Sequence, residues 1–322
     1  MQRLSDKLVF IAVGLWIIAH MRREWLRLVY RQLKYGLVRV RVAVPRLANE
    51  KFLWRKTFDH DPRFAVVTDK LAAKDWVAAH GFDVPMPKTL WTGTDANDIP
   101  EDLWQRPIYI KATHGCQMNI PVLTPPADRE KVIAQANSFM AREHGARQRQ
   151  WAYGQVPRAL IAEEAIRPDK ELMEVKYYTY GDKVEQFVLR RAGPPVTAAR
   201  WLRQDEGLFS RSDIPTSISP IIDLTPLPDV ARHGVKLASD IGQHFDHIRV
   251  DTLIDDDVIY LGELTVYNMA GRVALNGDKV DDVFNRSWDL RRSWFLTTPQ
   301  RGWRGIYAAA LRRALDRRAM RV

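Results

Sequence analysis

Arg249, Asp251 and Glu263 lie within HIRVDTLIDDDVIYLGELTVYN, His247 to Asn268, where β-branched and apolar residues otherwise read as the inside of a sheet. Alternation along the first segment places Arg249 and Asp251 on one face and Ile248, Val250 and Thr252 on the other. With Asp255-Asp256-Asp257 as a three-residue hairpin loop, Arg249 falls opposite Glu263 and Asp251 opposite Leu261, so that Asp251, Glu263, Arg249 and Thr265 share a face. A loop of even length would turn Glu263 to the other side. Two carboxylates this close resist joint ionisation unless a cation lies between them. Hard oxygen ligands on a rigid sheet suit Mg²⁺, with substrate phosphates completing its octahedron. The plainer alternative is an ion pair from Arg249 to Asp251 or Glu263 at a sheet surface.

Three lysines extend this chemistry. Lys70 is placed at a helix start, Lys111 at the end of a strand before a turn containing Gly115, and Lys176 inside a hairpin strand. Each taken singly reads as a solvated side chain. Joined to the acidic hairpin, they supply cations for phosphate oxygens, a metal site and loop N–H groups, which together suit a nucleoside triphosphate. The single cysteine, Cys116, follows His114 closely, but a loop cysteine is ordinarily just a small residue, and no Gly-x-Ser-x-Gly or Cys/His constellation supports nucleophilic catalysis. One cysteine also excludes an intrachain disulfide.

The elements that must position these groups follow an α/β mixture from about Asp59 onward. TDKLAAKDWVAAHG reads as a helix capped by Thr68 or Asp69 and stopped by Gly81; RPIYIKATHG is a strand running into a turn; DREKVIAQANSFMAREHG is an amphipathic helix. RALIAEEAI is another strand, and MEVKYYTYGDKVEQFVLRR is a hairpin turning at Gly181-Asp182. Gly193 to Pro220 lacks periodicity and is expected to be a long loop or insertion. PLPDVARHGVKLASDIGQHF is a helix after its prolines.

The net charge of +10 belongs to the two ends of the chain. Residues 1–57 hold 13 Lys or Arg against 3 acids and residues 299–322 hold 7 against 1, which leaves the middle at −6. That distribution argues against a nucleic-acid groove in the main domain. Leu8 to Ala19 is an uncharged apolar run of 12 residues, short of the roughly 20 a spanning helix needs. The following HMRREWLRLVYRQLKYGLVRVRV repeats apolar residues near helical spacing among arginines, a pattern suited to an anionic membrane surface; the alternative is a helical pair packed on the main domain or on a partner. The C-terminal YAAALRRALDRRAMR is read as a solvated basic helix or a second membrane contact.

Taken in order, DKLAAKDWV, IYIKATHG, QWAYGQVPRALIAEE, EVKYYTYGDKVEQF and HIRVDTLIDDDVIYLGELTVYN resemble the TupA-like ATP-grasp family, associated with bacterial surface polysaccharide synthesis, over about residues 66 to 275. The resemblance implies an α+β ATP-grasp fold in which two lobes clasp ATP, with a helical extension over 1–57, the ATP-grasp domain over 58–298 and a basic helix over 299–322. It implies that Lys70 and Lys111 contact the ATP phosphates beside His114 and Gly115. Glu163, Glu164, Ala165 and Ile166 would form the hinge whose backbone reads adenine, Asp169 or Glu171 would hold the ribose, and Lys176 would face the nucleotide. Asp251, Glu263 and Thr265 would bind Mg²⁺, and Arg249, with Lys111, would steady the transferring phosphate. Two places depart from the family's pattern. The loop reads HGCQMN rather than His-Gly-Ser-Gly, which restricts φ where a glycine is lost. Thr265 stands where many such ligases carry asparagine, with Asn268 as a nearby substitute.

The implied activity is ATP-dependent ligation of a carboxylate to an amine through an acyl phosphate, joining an amino acid or peptide to a surface glycan or its precursor at the inner face of the bacterial plasma membrane. A phosphotransferase on the same fold and an inactive nucleotide-binding component of a glycan assembly complex stay open as alternatives. The expected partners are a small-molecule or glycan-linked substrate and peripheral contact with an anionic membrane, with no nucleic acid.

Overall fold

Two antiparallel sheets and a helical layer organise the chain. The computed structural model describes residues 2–34, 40–216, 218–272 and 279–320. It opens with helices α1 (Gln2–His20), α2 (Arg22–Lys34), α3 (Ala48–Phe58), α4 (Pro62–Thr68) and α5 (Ala72–Ala79). Asp61 caps α4, its carboxylate accepting from the Arg63 N–H, and Pro62 occupies the first helical position, where its missing N–H costs nothing.

The smaller sheet contains β1 (Thr89–Gly93), β2 (Ile108–Ala112), β3 (Asn119–Val122) and β4 (Leu160–Glu164), in the order β1-β4-β2-β3. Helix α6 (Arg129–Met140), capped by Asp128, closes one face of it over a core that includes Ile108, Ile110, Ala136 and Phe139. This alternation leaves Tyr109 and Lys111 of β2 on the opposite face.

The larger sheet contains β5 (Met173–Tyr180), β6 (Lys183–Arg191), β7 (Thr197–Arg203) and β8 (Phe209–Ser212), followed after helix α7 (Asp229–Gly242) by β9 (Ile248–Asp255) and β10 (Val258–Thr265). Its order is β10-β9-β5-β6-β7-β8. Helix α7 covers the face that carries Val175, Tyr177, Ile248 and Val250, and the buried Tyr177 hydroxyl donates to the Ala231 carbonyl at 2.8 Å. The stretch expected as a loop between Gly193 and Pro220 in fact supplies β7 and β8. Its strands alternate buried Ala199 and Trp201 with arginines, a mixture without a hydrophobic run, and pairing to β6 supplies the order that local sequence does not.

The remaining helices are α8 (Lys279–Ser287), α9 (Trp294–Thr297) and α10 (Gly302–Ala319). With α1 to α3 they enclose a second core around Phe52, Trp54, Phe58, Phe295 and Tyr307. The boundary expected at 57/58 falls inside α3, every residue of which is buried. Arg55 fastens that helix to the large sheet: its guanidinium bonds the Asp246 carboxylate at 2.5 Å and the carbonyls of His247 and Val266 at 3.0 Å. The C-terminal helix α10 packs on α1, where Arg313 and Arg317 bracket Asp6 at 2.5 and 3.1 Å. Between α1 and α2 the chain bends by 105°, and among the described residues no single helix is long and apolar enough to cross a membrane.

Candidate active site

The β9–β10 hairpin turns more tightly than its three aspartates suggest. Asp255 pairs with Val258, leaving Asp256 and Asp257 as the turn, and Asp256 takes φ +50. This even-length turn by itself would send Glu263 into the α7 core. The register then shifts between Leu261 and Glu263, with Gly262 as the extra residue, and beyond that bulge Glu263 pairs with Asp251 and Thr265 with Arg249. One turn residue fewer and one bulge residue more restore the same parity. Asp251, Glu263, Arg249 and Thr265 therefore share a face as expected, though the cross-strand partners differ from those expected.

On β5, Lys176 pairs with Asp251 and Tyr178 with Arg249, which adds a third strand to this surface. Arg249 donates from Nε and Nη2 to the two Asp251 oxygens, both at 2.6 Å, and from Nη2 to the Thr265 hydroxyl at 3.1 Å. Lys176 reaches Asp251 at 3.4 Å and also contacts Glu174. Burial alone would raise the Asp251 carboxyl, but Arg249 and Lys176 outweigh it and hold the group below its ordinary value. Burial alone would lower Lys176, and Asp251 and Glu174 together outweigh that and raise it. Among the described residues Glu263 has no ion-pair or hydrogen-bond partner and lines a cleft of about 160 Å³ between the sheets.

The opposite wall of the cleft comes from the small sheet. Lys111 bonds Glu163 at 2.6 Å, and Lys74 bonds the other oxygen of the same carboxylate at 2.5 Å. Burial would raise Glu163, yet the two ammonium groups keep it below its usual value. Lys74 is the site residue that sequence reasoning missed. Its signal was present, four residues beyond Lys70 in DKLAAK, one turn along a helix. Lys70 itself donates to the carbonyls of Ala112, at 3.0 Å, and Gly115, and so fixes the turn after β2. Burial lowers its pKa while the Glu263 charge across the cleft acts in the opposite sense.

Gly115 has no room for a side chain, since a Cβ would lie 2.7 Å from His144. Gln117 takes φ +58, so the turn adopts a left-handed residue even without the second glycine. Cys116 lies along the cleft, but burial first and then the Glu263 charge push its thiol pKa up, the wrong direction for a nucleophile.

Several expected residues lie elsewhere. His114 is buried behind the turn, Nε2 3.2 Å from the Phe139 carbonyl, and lines a different cavity. In the hinge, the Glu164 and Ala165 N–H groups already donate to Lys88 and Pro107 carbonyls at 2.9 and 3.1 Å; Glu163 alone of Glu163 to Ile166 lines the cleft. Asp169 pairs with Arg167, and Glu171 accepts from the Gly193 N–H; neither lines the cleft. Asn268 is buried and bonds the His247 ring at 2.8 Å, away from the acidic face.

The residues fit a divalent cation. Asp251 and Glu263 are hard ligands opposite one another on a rigid ladder: Glu263, unpartnered among the described residues, gives such an ion an open place beside the cleft, while Asp251, both of whose oxygens accept from Arg249, would have to share those bonds to join it. Thr265 contributes less, because its hydroxyl accepts from Arg249.

The family model described as TupA-like ATPgrasp matches residues 50–287. The chain belongs to the TupA-like ATP-grasp family. Its two α+β lobes are those of the ATP-grasp fold. Among solved structures, D-alanine–D-alanine ligase from Bacillus anthracis complexed with ATP is 15% identical over 62% of this chain and 56% of that chain, with a TM-score of 0.38. N5-carboxyaminoimidazole ribonucleotide synthetase from Thermus thermophilus is 15% identical over 62% of this chain and 45% of its own, at 0.33. The ATP-grasp ligase PsnB complexed with minimal precursor is 13% identical over 92% and 73%, at 0.36. This family member thus spans only about half the length of the first of these. No curated protein matches the chain.

Proposed function

We propose that this protein is an ATP-dependent carboxylate–amine ligase. The observation that carries the reading is the two-sided cleft, with Lys70, Lys74, Lys111 and Glu163 on one wall and Glu263 on the other, the last beside Asp251 and Arg249. A substrate carboxylate oxygen attacks the γ-phosphorus of ATP, the bond to the β-phosphate oxygen breaks, and ADP leaves with the electron pair. An amine nitrogen then attacks the acyl carbon, phosphate departs, and loss of the nitrogen's proton leaves an amide. Lys111 and Lys74, released from Glu163, neutralise phosphate oxygens, while Arg249 orients Asp251 and offers its remaining donors to the transferred group. Glu263 and Asp251 would hold Mg²⁺, which would supply charge neutralisation on the phosphates.

The acceptor in this reading is a glycan precursor at the inner face of the bacterial plasma membrane. Leu4, Leu8, Ile11 and Leu15 form an exposed stripe on α1 at helical spacing, and the arginines of α2 supply charge for anionic lipid. Purified full-length protein, ATP, Mg²⁺ and pooled cell-envelope precursors test the reaction. ADP with a new amide is the expected result. ADP with a phosphorylated acceptor, or nucleotide binding without turnover under all mixtures, would overturn it.

A further inference from the structure

A second cavity, of about 600 Å³, backs onto the cleft. The turn after β2 is their shared wall: Gly115 and Cys116 face the cleft, His114 faces the cavity, and Cys116 Sγ lies 3.4 Å from Nε2 of His144, a cavity residue. The other walls come from the end of α1, from α3 and His60, and from residues 142–158.

Its chemistry is one-sided. Lys56, Arg142, Arg149, Arg158 and Arg304 line it, against the single carboxylate of Glu143. Lys56 bonds Glu24 at 3.2 Å and Arg158 lies 3.6 Å from Glu143. Among the described residues Arg142, Arg149 and Arg304 have no carboxylate partner. Four imidazoles join them, from His20, His60, His114 and His144. His20 and His60 each engage a backbone carbonyl through one ring nitrogen, at 2.8 and 3.0 Å, which leaves the other nitrogen for a ligand. Aromatic rings are fixed beside these polar groups: Trp151 stacks on His60 with centroids 4.8 Å apart and planes 3° apart, and Trp16 stacks on His20 at 4.2 Å. Flat aromatic faces suit the C–H face of a sugar ring. A group of unpaired guanidiniums and imidazoles around one concavity suits a phosphate, which presents three oxygens and carries nearly two charges.

We infer that this cavity binds the phosphate ester of a sugar, next to the site where the cleft activates a carboxylate. The inference rests on the ligase reading only for its place in the reaction. Binding itself needs neither ATP nor turnover, so the two readings fail separately.

Titration calorimetry of the full-length protein with glucose 1-phosphate, glucose, inorganic phosphate and glucuronate tests the assignment, with ATP binding as the control for an intact fold. Glucose 1-phosphate is expected to bind saturably and more tightly than the other three. The double variant Arg142→Ala/Arg304→Ala is expected to weaken it roughly tenfold or more without changing ATP affinity. His60→Ala gives an independent variant, expected to weaken glucose 1-phosphate more than inorganic phosphate. Saturable binding absent at millimolar ligand, equal binding of inorganic phosphate or glucuronate, binding unchanged in both variants, or full competition by ATP would each overturn the assignment. An amide-forming enzyme that shows no such binding sinks this inference alone, and binding without turnover sinks the ligase reading alone.

Discussion

Glu263 stands directly across the β9–β10 ladder from Asp251, yet only Asp251 is clasped by cations. Arg249 and Lys176 take up one carboxylate of the pair, while the other borders the cleft. The two acids therefore differ in what they hold. Asp251→Asn leaves the largely buried Arg249 guanidinium without its carboxylate, while Lys176 keeps Glu174, and is expected to cost about 3 kcal/mol. Glu263→Gln is expected to change stability by no more than about 0.5 kcal/mol while reducing Mg²⁺-dependent ADP formation by about a hundredfold or more. Urea unfolding and coupled ADP detection on the same two variants separate these roles. Equal destabilisation by both changes would contradict the assignment.

Glu163 gives the cleft a pH dependence. Its carboxyl titrates below its ordinary value when folded, so the folded state binds fewer protons than the unfolded one as pH falls toward that range. Its stabilisation is complete above the ordinary carboxylate pKa and is lost as pH falls through the lowered folded value. Glu163→Gln is expected to cost about 2–3 kcal/mol at neutral pH, and the difference from wild type to shrink toward zero below that value. Unfolding curves across an acidic pH series measure it. A difference that stays constant with pH would show that the ion pairs to Lys74 and Lys111 are not its origin.

Removing Gly262 should preserve the site. Without the bulged residue, Leu261 still pairs with Thr252 and Glu263 follows as the partner of Asp251, with the alternation intact. The deletion variant is expected to keep Mg²⁺-dependent nucleotide binding within about tenfold of wild type, a difference of about 1.4 kcal/mol. Complete loss of binding from a folded protein would mean that the bulge does more than correct parity.

The α1 stripe gives a test on lipid. Leu8 and Ile11 are 61% and 59% exposed, so Leu8→Asp/Ile11→Asp is expected to leave stability within about 1 kcal/mol while reducing cosedimentation with anionic vesicles severalfold. Unchanged sedimentation would remove the membrane from the proposal.

Much of this was legible because local rules agreed. Gly181-Asp182 connects β5 to β6, Asp128 caps α6, and the acidic face of β9 followed from simple alternation. The bulge at Gly262 was not legible, because a period of two cannot reveal where one residue drops out of step. Lys74 was passed over because a helix-surface lysine ordinarily faces water, and only the fold brings Glu163 to it from 89 residues further along the chain. The complete burial of α3 was hidden for the same reason: Lys51 meets the carbonyls of Asn285 and Trp288, and Arg55 meets Asp246, all distant in sequence.

The Arg55 bonds to Asp246, His247 and Val266 grip the root of β9 and the far end of β10, so the hairpin bearing Asp251 and Glu263 is anchored at its base to the helical layer. If those helices rest on a surface, as proposed, they set the compass bearing of the cleft as well. A substrate tethered to that surface would meet the reactive groups from one fixed direction, and the choice of which end of a long chain to modify would follow from geometry alone.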